Sequence, residues 1–179
     1  MARNQKKYIG LLGGSFDPAH NGHLAISKIA IKKLKLKKVY WVITKKNPFK
    51  NETFYTLEER IKYAKNISRT QKKIQTVYVD NIIKSSRIID VVNYFIKKKN
   101  IKNIYFIIGS DNLIRFHKWK SWKKIVKLVK LIVFSRKGYD RKGMKSMVVK
   151  NFKNKIIFIK TKHIEISSTQ LKSQIKSNN

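Results

Sequence analysis

Tyr8-Ile9-Gly10-Leu11-Leu12-Gly13-Gly14-Ser15-Phe16-Asp17-Pro18-Ala19-His20-Asn21-Gly22-His23 is the stretch on which the fold turns. Tyr8 to Leu12 is a short apolar run ended by Gly13 and Gly14, the pattern of a buried strand stopping at a tight turn. From Asn21 to Leu36 the apolar positions Leu24, Ile26, Ile29, Ala30 and Leu34 recur at helical spacing. A strand therefore feeds a helix through a glycine-rich connection. The same alternation continues outward. Val39 to Thr44 reads as a second strand, and Lys45 to Tyr55 as a polar loop holding Pro48. Thr56 and Glu59 have capping-box spacing for a helix reaching about Arg69. Ile74 to Val79 reads as a strand, Ser86 to Lys98 as a helix, Asn103 to Ile108 and Leu128 to Ser135 as strands four and five. After a Lys- and Gly-containing loop, Ile156 to Ile159 reads as a sixth strand and Ser168 to Lys176 as a last helix. This order predicts an α/β fold: a doubly wound, Rossmann-like parallel sheet with helices on both faces. No repeat or linker interrupts it, so one domain is expected over residues 1–179.

Composition narrows the class. Of 179 residues, 43 are Lys or Arg and 9 are Asp or Glu, a net charge of +34, while 42% are hydrophobic. That excludes an acidic protein and a disordered basic tail. Only seven of the cations are Arg: Arg3, Arg60, Arg69, Arg87, Arg115, Arg136 and Arg141. Nucleic-acid readers favour Arg for its planar fork, so a Lys surplus spread along the chain points to compositional drift, and no specific nucleic acid is expected as partner. Cysteine is absent, which removes disulfides, thiolate zinc sites and a catalytic thiol. With no membrane-length apolar run and no signal-peptide core after Met1, the expectation is a cytoplasmic protein with no membrane partner.

In an open parallel sheet, ligands bind outside the carboxyl ends of the strands. The loop after strand one opens a helix, and its backbone amides can cradle phosphate there. It is neither a Walker A motif nor the GxGxxG fingerprint. HxxH alone offers a metal no third ligand, so no metal site is expected.

GGSFDPAHNGH resembles instead the signature of the nucleotidyltransferase superfamily, whose defining element HxGH stands here as His20, Asn21, Gly22 and His23. The resemblance implies that the two histidines bond nucleotide phosphates and stabilise charge at the α-phosphorus, with Gly13, Gly14, Ser15, Phe16 and Gly22 lining the ATP site. Phosphoryl transfer is mostly positioning and electrostatics, so such residues suffice without a protein nucleophile.

Two further segments resemble the nicotinate-nucleotide adenylyltransferases of bacteria. Ile107-Ile108-Gly109-Ser110-Asp111-Asn112, followed by Phe116-His117-Lys118-Trp119, is similar to their IIGADN…FHxW element. This implies Gly109 and Asp111 on the nucleotide and Trp119 against a pyridine ring; Trp119 and Trp122, three apart, are read as sharing a helix. Ile166-Ser167-Ser168-Thr169-Gln170-Leu171-Lys172 is similar to their ISSTxIR motif, which implies Ser168 and Thr169 at the ATP phosphates and Lys172 as a catalytic cation in place of an Arg. Asn47 and Lys50 match a loop near the mononucleotide, and Arg136 matches an Arg near the ATP pocket. Where relatives carry Tyr-Thr-x-Asp, this chain has Arg87-Ile88-Ile89-Asp90, which leaves Ile88 where a hydroxyl is usual and Arg87 as the residue to compensate for it. The family implies adenylyl transfer from ATP to nicotinate mononucleotide, with Mg²⁺ accompanying ATP. The competing readings are a phosphopantetheine adenylyltransferase, which shares HxGH but lacks GSDN…FHKW, and a basic nucleic-acid-binding protein, supported by charge alone.

Overall fold

A computed structural model of the chain describes residues 8–45 and 53–161. Six strands form a sheet whose neighbours all pair in parallel: β1 (Ile9–Gly14), β2 (Lys38–Ile43), β3 (Ile74–Tyr78), β4 (Ile104–Gly109), β5 (Lys130–Phe134) and β6 (Ile156–Ile159). The order across the sheet is β3-β2-β1-β4-β5-β6. The chain winds one way from β1 and the other way from β4, so the switch point lies between these two strands, where a crevice opens at their carboxyl ends.

The long helices are α1 (Asn21–Leu34), α2 (Leu57–Ser68) and α4 (Ile88–Lys97). Alternate residues along each strand face opposite layers. Leu11, Phe106, Ile108 and Val133 pack with Val92, Phe95 and Phe116 on one face, while Leu12, Trp41, Ile107 and Ile132 pack with Phe16, Ala30 and Ala64 on the other. Gly10 has its place by close approach: a Cβ there would stand 2.9 Å from Ile107 Cδ1 and 3.0 Å from Val39 Cγ2.

The expected doubly wound sheet is present, with corrections at its borders. β1 includes both glycines that were read as the turn after it. The third expected helix starts at Ile88 rather than Ser86, because Arg87 is its extended cap. Five short helices break the pattern: α3 (Asp80–Ile83), α5 (Ser110–Arg115), α6 (Trp122–Leu128), α7 (Asp140–Met144) and α8 (Met147–Phe152). Leu128, read as the start of strand five, ends α6. The Lys- and Gly-containing loop before β6 holds α7 and α8, which are too short for a 3.6-residue period to register. The last expected helix lies outside the described residues.

Candidate active site

α1 begins at an N-cap that is a histidine. His20 Nδ1 accepts the Gly22 backbone N–H at 3.0 Å, and His23 Nδ1 accepts the His20 backbone N–H at 3.2 Å. The two rings lie 3.9 Å apart between centroids. An Nδ1 that accepts carries no proton, so in each neutral imidazole the proton is on Nε2. Capping thus fixes the tautomer and makes both rings Nε2–H donors at the positive end of a helix.

Packing holds this pair in orientation. Phe16 lies against the His23 ring at 4.7 Å and stacks on Trp41 at 5.3 Å. Trp41 Nε1 donates to Ser27 Oγ at 2.8 Å, and Ser27 Oγ donates in turn to the His23 carbonyl at 2.8 Å. Trp41 and Ser27 are fully buried, so the first turn of α1 is tied through two side chains to β2. Phe16 takes a left-handed backbone, φ 47°, unusual for a bulky residue, and the Asp17-Pro18 bond is cis.

Carboxylates and one arginine join the loops around this turn. Asp17, 1% exposed, accepts the N–H groups of Phe54 at 2.8 Å and Tyr55 at 2.9 Å, which ties the start of the α2 segment to the β1–α1 connection. Asp80 Oδ2 accepts from Thr44 Oγ1 at 3.0 Å, Lys45 N at 2.9 Å and Ser86 Oγ at 2.6 Å. Arg60 Nη1 donates to the carbonyls of Ser15 and Thr44, both at 2.8 Å. Burial pushes the Arg60 guanidinium below its ordinary value, against the pull of Asp17 and Glu58.

Across the switch point, Gly109 ends β4. Asp111 Oδ1 and Arg136 Nε lie 3.1 Å apart as an ion pair directly over it, and a Cβ on Gly109 would overlap Asp111 Oδ1 and reach 2.7 Å from Arg136 Nε. The Arg136 backbone N–H is fixed by Ser110 Oγ at 3.0 Å and Asp140 Oδ1 at 2.8 Å, and Ser110 Oγ donates to the same Asp140 oxygen at 2.7 Å.

Arg87 and Trp119 belong to the opposite helical layer. Arg87 Nε pairs with Asp90 Oδ2 at 2.7 Å and contacts Ser85 Oγ at 3.3 Å; it lines a cavity of about 520 Å³ with Asp90, Asn93, Ser121, Lys124 and Lys127. Trp119 stacks on Phe116 at 4.7 Å with its edge toward Phe106 at 6.0 Å. Its backbone is extended, and Ser121 caps α6 in a left-handed conformation, so Trp119 and Trp122 do not share a helix as their spacing suggested. Trp122 meets Phe152 edge-on at 5.7 Å instead.

Gly13, Gly14, Ser15, Phe16, His20, Gly22 and His23 therefore come together on one side of the crevice. Gly109, Asp111 and Arg136 come together at the ends of β4 and β5. Arg87 and Trp119 stand on the other face. Asn47, Lys50, Ser168, Thr169 and Lys172 lie outside the described residues. Missed from sequence were Arg60, Asp80, Ser27, Trp41 and Asp140. Arg60 had a signal: with Ala64 and Ser68 it forms the buried i, i+4, i+8 stripe of α2. Among the described residues no cluster of three His, Cys, Asp or Glu side chains is placed to hold a metal ion, and no helix is long and apolar enough to cross a membrane.

The cytidylyltransferase-like family model matches residues 11–174. A probable nicotinate-nucleotide adenylyltransferase of Pelagibacter ubique is 50% identical over 171 residues, 94% of each chain. The chain belongs to this family. A second relative of the same description, from Clostridium novyi, is 33% identical over 94% of this chain and 86% of its own. The fold also matches the Plasmodium falciparum nicotinic acid mononucleotide adenylyltransferase complexed with NaAD, with a TM-score of 0.72 at 18% identity, covering 93% of this chain and 83% of that one.

Proposed function

We propose that this member of the family transfers the adenylyl group of ATP to nicotinate mononucleotide, giving deamido-NAD and pyrophosphate in NAD biosynthesis. The carrying observation is the His20 and His23 pair, whose Nδ1 atoms are both occupied by backbone N–H groups while the protons sit on Nε2. In the reaction, a phosphate oxygen of the mononucleotide forms a bond to the α-phosphorus as the bond to the pyrophosphate oxygen breaks. Negative charge spreads over the transferring oxygens, and fixed donors that need no reorganisation stabilise it. His20 and His23 supply those donors from one side, with the glycine-rich turn beneath. Gly109, Asp111 and Arg136 hold the adenosine part, and Arg87 and Trp119 face the pyridine nucleotide. Lys172, Ser168 and Thr169 join the phosphates, and Asn47 and Lys50 the mononucleotide, in the same proposal on the strength of their motifs.

Mg²⁺ belongs to this proposal as the companion of ATP, neutralising triphosphate charge. A cytoplasmic location, where ATP is the donor, is part of the same reading.

Incubation with ATP, Mg²⁺ and, separately, nicotinate mononucleotide, nicotinamide mononucleotide and phosphopantetheine tests the reading by the adenylylated product. Deamido-NAD is expected. Transfer to phosphopantetheine alone overturns the acceptor, and no transfer to any of the three removes the activity. Transfer that persists at moderate salt separates an active site from electrostatic polyanion binding, which weakens steeply with salt.

A further inference from the structure

The proposed reaction leaves a buried cation without a task. Arg60 is 2% exposed, and its Nη1 bridges the carbonyls of Ser15, on the phosphate side of the crevice, and Thr44, at the exit of β2. The Thr44 backbone N–H also donates to the Gly14 carbonyl at 3.0 Å, so the two connections are stitched together beside the histidines. Burying a guanidinium is costly. An apolar residue would fill the α2 stripe, where Arg60 is flanked by Ala64 and Ser68, at no such cost. What the cation adds is polarisation. A carbonyl that accepts a charge-assisted hydrogen bond shifts electron density through its own peptide, which makes the N–H on the other side a stronger donor. The peptide after the Ser15 carbonyl ends in the N–H of Phe16, the residue held left-handed against His23 and Trp41.

We propose that Arg60 is a positioning residue for adenylyl transfer: through the Ser15–Phe16 peptide it fixes the loop that receives phosphate and strengthens the Phe16 N–H as a donor to it. The inference rests on the reading of that loop as the phosphate site. Lys keeps the charge but lacks the second nitrogen, Nη2, with which Arg60 also reaches the Lys45 carbonyl at 3.4 Å, so it replaces Arg60 only in part.

The test compares the parent chain with Arg60→Ala and Arg60→Lys, each checked for folding by circular dichroism, in the assay with ATP and nicotinate mononucleotide. Expected for Arg60→Ala are a kcat lowered by about tenfold or more, as for a misplaced reacting group, a much smaller change in KM for ATP, and partial recovery of kcat with added guanidinium but not ammonium. Arg60→Lys should fall between the two. A folded alanine variant with parental kcat, or a deficit indifferent to guanidinium, overturns the proposal. Where Arg60→Ala does not fold, Arg60→Gln takes its place under the same two outcomes. A second readout, the amide resonance of Phe16 titrated with inorganic pyrophosphate, is independent of turnover. Pyrophosphate is expected to shift it in the parent and less in the variant, and equal shifts overturn the role of Arg60 even if the parent chain proves inactive in the assay, the result that removes the proposed function instead.

Discussion

The His23 imidazole accepts the His20 backbone N–H through Nδ1 at 3.2 Å, so one ring closes the first turn of α1 and offers its opposite nitrogen as a donor. In the proposed reaction the structural and chemical duties of this side chain reside on different atoms, and they are separable by substitution. Asn places an amide oxygen near the position of Nδ1 and has nothing at Nε2. His20→Asn and His23→Asn are therefore expected to keep the cap, with a loss of at most about 1 kcal/mol in stability, while turnover falls about a hundredfold or more. Thermal denaturation and steady-state kinetics on the same preparations check this. Near-parental turnover in both variants contradicts the donor role.

Gly109→Ala puts a methyl where Asp111 Oδ1 already stands and 2.7 Å from Arg136 Nε. The Arg136 side chain, 45% exposed, can swing outward, whereas Asp111 Oδ1 is buried. The ion pair should open, with a stability loss of about 1–3 kcal/mol from overpacking and a KM for ATP raised about tenfold, equivalent to losing one contact of about 1.4 kcal/mol. Gly13→Ala is the comparison for stability, since a Cβ there meets the end of the Ile88 side chain at 3.1 Å and the Phe106 ring at 3.6 Å, with no overlap; its loss of melting temperature should be clearly smaller.

The start of α4 has a pH-dependent tie. Burial alone raises the Asp90 carboxyl, but the Ser85 hydroxyl and the Arg87 guanidinium outweigh it and hold the group below its ordinary value. A carboxyl depressed in the folded state contributes stability that is complete above its unfolded value of about 3.9 and is lost as pH falls through the lower folded value. Arg87→Ala should thus destabilise the chain at neutral pH slightly, because Arg87 is exposed to solvent and Asp90 only half-buried, and flatten the acid limb of the stability curve. A parallel acid limb in parent and variant contradicts the tie.

The β1–α1 connection was legible in the sequence because strand, glycine turn, histidines and helix are consecutive there, and local spacing carries both fold and chemistry. Gly109, Asp111 and Arg136 were legible only as motif positions; that Asp111 and Arg136 meet over Gly109 depends on β4 and β5 pairing side by side, with Gly109 opposite Phe134. Asp80 joins Thr44 to Ser86 over long and short separations at once, a contact no periodicity encodes. The short helices α5 to α8 escaped for a different reason: one or two turns offer too few apolar positions to fix a period, and packing against the sheet forms them. Trp119 and Trp122 look like helical neighbours until the left-handed Ser121 separates them.

Choice between nicotinate and nicotinamide mononucleotide is the most exposed part of the proposed function. Ile88 opens α4 with its Cδ1 over Gly13, at the boundary between the proposed phosphate side and the proposed pyridine side, and its side chain brings no hydrogen-bond donor. Its neighbour Arg87 already spends its Nε on Asp90 and Ser85. Trp119 contributes a ring, stacked on Phe116, which serves acid and amide alike. A carboxylate still gains more than a carboxamide from the remaining amides and cations, since it accepts charge-assisted bonds at both oxygens. The parent chain is thus expected to favour nicotinate mononucleotide by about tenfold in kcat/KM, roughly 1.4 kcal/mol. Ile88→Thr supplies a hydroxyl donor at this boundary and should widen that preference several-fold, whereas Trp119→Ala should weaken use of both mononucleotides and leave the KM for ATP near parental. Competition of the two acceptors in one reaction, read from the ratio of deamido-NAD to NAD, measures the preference directly. A ratio near one in the parent removes the nicotinate preference and leaves adenylyl transfer standing; an unchanged ratio in Ile88→Thr moves the discriminating contact away from the start of α4.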